Sequence, residues 1–151
     1  MKLAEALLLR SDTQKKLASL QQRIQQNVLI QEGDTPSEDP QILMKEAIQT
    51  NQALYDLIEK IHLTNAQTQM PNGQPLIKLL NKRDCLIAEH RILQHTLDHA
   101  QRDSDRYSMR EIKWLKTISI AKIQKQADDI SASLRQLNVE IQAMNWQADL
   151  V

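Results

Sequence analysis

The sequence predicts an all-α fold, an antiparallel long-helix bundle of four helices with the first and last longest and a short hairpin-like loop near 66–75. Two observations carry that expectation. The 151 residues hold Gly 2, Pro 4, no Phe and 3% aromatics, too few for β-sandwich turns, glycine-built phosphate loops or a collagenous chain. The apolar residues recur in alternating three- and four-residue steps through most of the chain, the period of an amphipathic helix. At 17.4 kDa the chain suffices for one core and is short for two, which predicts a single domain over 1–151.

The first helix is expected from Lys2 to about Gln31, where Gly and Pro are absent and Leu3, Ala6, Arg10, Thr13, Leu17, Leu20 and Ile24 share a face. Gly33 suits its end, and Asp39-Pro40 supplies an N-cap and first helical position for a second helix. That helix is expected to run to about Leu63 on Leu43, Ala47, Thr50, Leu54, Leu57 and Ile61, with Tyr55 and Ile58 widening the stripe and Thr64-Asn65 ending it. Asn72-Gly73, bracketed by Pro71 and Pro75, predicts the protruding loop.

Pro75 can open a third helix with Leu76, Leu79, Arg83, Leu86, His90, Leu93, Leu97 and Ala100 on one face. Ser108-Met109-Arg110-Glu111 has the spacing of a capping box, so the fourth helix is expected to start near Met109. From Ile120 through Ile123, Ala127, Ile130, Leu134, Leu137, Ile141 and Met144 to Ala148 it shows heptad stepping. A helix of about 40 residues would span roughly 60 Å, against roughly 40 Å for the middle two. That mismatch, with Trp114 and Trp146 expected near the ends of the long helix, predicts apolar surface without an intrachain partner and hence a homo-oligomer.

Charge and cysteine content narrow the function classes. Lys+Arg 19 balance Asp+Glu 19, so no global pull toward nucleic acid is expected; Asp103, Asp105 and Glu111 undercut the basic row Arg102, Arg106, Arg110, Lys113 and Lys116. No apolar run approaches the roughly 20 residues of a membrane span. Glu5 interrupts the apolar N-terminal stretch, which is read as helix rather than signal peptide. The lone Cys85 permits no intramolecular disulfide, pointing to a cytoplasmic address, and is expected to be a buried or half-buried helix residue.

No catalytic motif is present, so no catalytic residue, metal ligand or cofactor is assigned. Glu59 and His62 form half of a Glu-x-x-His di-metal pattern whose second half is absent, and His95 with His99 give two ligands, short of a site. His90, in the core-phase stripe, is expected to be hydrogen-bonded in the interior. Up-down-up-down connectivity would bring the first and third turns to one end of the bundle. Glu32, Asp39, Arg83, Asp84, Arg106, Tyr107, Glu111 and Lys113 are therefore the candidate ligand-binding residues there, for a small ligand or metal. The plainer alternative is an ion-paired cap.

The opening Met1-Lys2-Leu3-Ala4-Glu5-Ala6-Leu7, the stretch from Gln31-Glu32-Gly33-Asp34 to Asp39-Pro40, Thr64-Asn65, Lys82-Arg83-Asp84, Arg106-Tyr107-Ser108 followed by Glu111-Ile112-Lys113, and Asn145-Trp146 together resemble the septicolysin-like family of small bacterial proteins. The resemblance implies an all-helical homo-oligomer of bacterial origin without an established activity. A pore-forming cytolysin, as that label suggests, ranks last, because no export signal, membrane-length segment or alternating barrel strand is read in the sequence. The expected function is that of a homo-oligomeric structural or interaction protein. The alternative is an enzyme or a ligand-binding protein that uses the turn residues.

Overall fold

The computed structural model describes residues 1–102, 112 and 114–151, and among them the fold is all-α. Four helices follow in order: α1 (Leu3–Asn27), α2 (Pro40–Gln67), α3 (Leu76–Arg102) and α4 (Ile120–Gln147). They fall into two compact units, one of Met1–Gln69 with Met144–Val151 and one of Met70–Ala143.

The expected inequality of lengths is not found. The helices have 25, 28, 27 and 28 residues, so each spans about 40 Å. α1 stops at Asn27 rather than near Gln31, because the Asn27 side chain gives the chain an alternative to another helical turn. Its Nδ2 donates to the Arg23 carbonyl at 2.9 Å and its Oδ1 accepts the Glu38 backbone N–H at 3.0 Å. Gly33 therefore does not end the helix; its φ of 95° serves a later turn, in which the Asp34 N–H donates to the Gln31 carbonyl at 3.0 Å.

α2 opens where Asp39-Pro40 predicts, with the Asp39 carboxylate accepting the Gln41 N–H at 2.8 Å. It continues past Thr64-Asn65 to Gln67. Thr64 does not break the helix because its hydroxyl donates to the Lys60 carbonyl at 2.8 Å while the side chain is buried. The loop that follows closes tightly: the Met70 N–H donates to Gln74 O and the Gly73 N–H to Met70 O, both at 2.8 Å, with Gly73 at φ 78°. Its root is anchored by Met70, which is buried.

α4 begins at Ile120, not near Met109. Residues 112 and 114–119 are not helical; the Ser119 carbonyl accepts the Ile123 N–H at 3.2 Å and its Oγ lies 3.4 Å from the Lys122 N. Ser119 thus holds the cap position that Ser108 was expected to hold; residues 108–111 lie outside the described ones. Trp114 accordingly precedes the helix instead of belonging to it.

In the first unit α1 and α2 pack antiparallel over Leu20, Leu43 and Ala47, with Leu17 and Ile24 against that cluster. A Lys16 to Glu46 ion pair at 2.9 Å links the two helices at the surface. The chain termini close the other end. Lys2 bridges Asp149, the Leu3 N–H donates to Ala148 O and the Leu150 N–H to Met1 O, both at 2.9 Å, and the Val151 N–H reaches Thr64 Oγ1 at 3.2 Å. In the second unit α3 and the first part of α4 run antiparallel, joined by a 3.1 Å contact between His90 Nε2 and Ser131 Oγ. Among the described residues no helix is long and apolar enough to cross a membrane.

Candidate functional site

Four of the sequence-derived site residues lie among the described residues, Glu32 and Asp39 in the first unit and Arg83 and Asp84 in the second. Glu32 is exposed in the turn after α1, and Asp39 is occupied as the α2 cap. Arg83 folds onto its own neighbour, with Nε at 3.1 Å and Nη2 at 3.0 Å from Asp84 Oδ1, an ion pair on the surface of α3. Arg106, Tyr107, Glu111 and Lys113 lie outside the described residues.

A different polar cluster is built instead. Arg23 grips Glu38 with two parallel bonds, Nε to Oε2 at 2.9 Å and Nη2 to Oε1, and the Glu38 N–H is held by Asn27. The bond from Arg23 holds the Glu38 carboxyl below the usual carboxylate range, and the same bond raises the guanidinium. All three residues are engaged with one another, so the cluster ties α1 to the turn leading into α2. Arg23 and Asn27 sit in the helix-period pattern of α1, where their polar character was the one available signal; Glu38 carried none.

The histidines and the thiol gather no metal-ligand cluster among the described residues. His62, His95 and His99 are exposed, and among the described residues no group of three or more His, Cys, Asp or Glu could hold a metal ion. His90 is hydrogen-bonded to Ser131. Cys85 is exposed rather than buried or half-buried, and its thiol, 3.6 Å from Glu89 Oε1, is pushed up in pKa by that carboxylate, the reverse of nucleophile activation.

Two open grooves run between α3 and α4. One, of about 440 Å³, is lined by Ile92, Leu93 and Ile130 with Glu89, Gln126 and Asp129, and the Asp129 carboxylate is paired with Lys125 at 2.9 Å. The other, of about 430 Å³, lies beside the small side chains Ala132 and Ser133. Both are open to solvent, the first mainly apolar and the second also lined by Lys82, Gln136 and Glu140.

An apolar row is exposed on α2. Leu43, Ala47, Leu54 and Ile61 are buried, whereas Met44, Ile48 and Tyr55 are 43%, 61% and 62% exposed. The apolar stripe that was expected to widen into the core at Tyr55 therefore reaches solvent. Such an apolar row along one helix is suited to packing against another helix.

No protein of curated function matches. The solved structure of a functionally unknown conserved protein from Corynebacterium diphtheriae is 35% identical, with a TM-score of 0.91 over 100% of this chain and 99% of that one. The expected septicolysin-like membership is overturned, because the matching family model, a family of unknown function, spans residues 10–150 and neither comparison points to septicolysins. Of the motifs that carried the resemblance and lie among the described residues, only the stretch Gln31–Asp39 forms a turn and cap, where Gly, Asp and Pro recur for conformational reasons in unrelated helical proteins, whereas Leu3–Leu7, Thr64-Asn65, Lys82-Arg83-Asp84 and Asn145-Trp146 are helical. The chain belongs to the family of unknown function DUF6847.

Proposed function

We propose that the protein is a homo-oligomeric structural or interaction protein of the cytoplasm. The observation that carries this reading is the outer face of α2, where Ile48 and Tyr55 are each more than 60% exposed beside Met44. Burying such side chains in an interface removes apolar area from water at about 25 cal/mol per Å². Helices of similar length, 25 residues in α1 and 28 in α4, remove the overhang as a reason to associate, so the reading rests on this face and not on the ends of α1 and α4. A single exposed cysteine fits a reducing compartment. Light scattering on the purified protein tests the assembly: a mass that is a multiple of 17.4 kDa is expected, and a single species of 17.4 kDa overturns it.

A further inference from the structure

Resting on that oligomeric reading, we infer that α2 carries a second heptad seam on which the α2 of a second copy packs antiparallel about a two-fold axis, Lys45 of each copy facing Glu59 of the other. The inward seam of α2 is Leu43, Ala47, Thr50, Leu54, Leu57, Ile61 and Thr64, and α1 packs over its first part. One residue further on, Met44, Ile48, Asn51, Tyr55, Ile58 and His62 repeat the same alternating steps of four and three. A one-residue offset turns the second seam by about 100° around the helix, so α2 offers two faces that call for two neighbouring helices. Ile58 is half-buried at the border with the first seam, and the other five are exposed.

Folding this seam back on an identical one about a point between Asn51 and Tyr55 gives a consistent set of layers. Asn51 meets Tyr55 of the second copy on both sides of the axis, Ile48 meets Ile58 beyond that, and Met44 meets His62 at the outside. The central layer pairs an amide with a phenol hydroxyl, and a polar residue in an otherwise apolar seam fixes register and orientation. Charge on the flank selects the same orientation. Lys45, Gln52 and Glu59 follow one another at seven-residue spacing along one edge. In the antiparallel pairing Gln52 meets Gln52 and Lys45 meets Glu59 twice per dimer. A parallel pairing would instead set these charges against the edge of Ala47, Leu54 and Ile61, which is buried.

Two sets of variants test the pairing. In a Cys85→Ser background, Gln52→Cys places a thiol beside its own copy at the axis, and mild oxidation is expected to yield a covalent dimer. Lys45→Glu and Glu59→Lys should each weaken dimerisation about tenfold or more by setting like charges opposite each other twice, while the combined variant restores it. Circular dichroism on each variant confirms that the helices are retained. A wild-type oligomer that does not cross-link at 52 and is indifferent to both single charge reversals overturns the antiparallel α2 pairing while leaving the oligomeric reading intact. A wild-type monomer overturns both.

Discussion

Asn27 shows how one polar side chain shapes the end of an element. It is 8% exposed, bonds backward to Arg23 and forward to Glu38, and so exchanges a further helical turn for a fixed connection to the next helix. Asn27→Ala leaves the Glu38 N–H without its partner, and chemical denaturation should show a loss of about 1–3 kcal/mol. Glu38 and Asp149 both have carboxyl pKa values lowered in the fold, by the hydrogen bonds from Arg23 and Lys2 respectively. A carboxylate with a depressed folded pKa contributes stability that is full above its unfolded value of about 4 and is lost as pH falls through the folded value. Thermal melts should therefore decline in the acid range, and Glu38→Gln should melt below wild type at neutral pH, with the gap closing under acid conditions. An unchanged gap at low pH would show that the charge of Glu38 contributes nothing beyond its packing.

Among the elements, periodicity was a reliable guide and termination was not. The inward positions of α4, including Ala127, Leu137 and Ile141, are the ones its heptad steps mark, because burial of a helix face imposes the 3.6-residue period directly on sequence. Caps leave a weaker trace: Ser108 and Ser119 both precede plausible helix, and local chemistry alone favoured the one with a glutamate three residues on. The Asn27 stop was hidden for a related reason, since its partner Glu38 is 11 residues away and is brought close only by the fold. The candidate site was less legible still, because its residues were grouped by assumed proximity of turns, whereas Glu38, the turn residue that forms an interhelical bond, looked like any other surface acid. Packing within α1 and α2 separates core from surface sharply. Leu20→Ala, at the centre of the Leu20, Leu43 and Ala47 cluster, should cost about 2–5 kcal/mol, whereas Leu29→Ala, at a side chain 85% exposed, should stay within about 0.5 kcal/mol by the same urea titration. Similar losses at both positions would mean that residues 28–30 are covered in solution.

At the scale of the whole molecule, the surface rather than any pocket gives the chain its character. Polar side chains cap helices, form the Arg23 to Glu38 clasp and join the two termini, whereas α2 keeps Met44, Ile48 and Tyr55 exposed. An exposed apolar row of this kind on a helix is the surface on which the proposed assembly rests. The most direct test is the sedimentation-equilibrium mass of the wild-type protein at micromolar concentration, measured beside Ile48→Lys. Assembly through α2 predicts a wild-type mass that is a multiple of 17.4 kDa and a variant shifted toward 17.4 kDa; a wild-type protein that stays at 17.4 kDa throughout would contradict it.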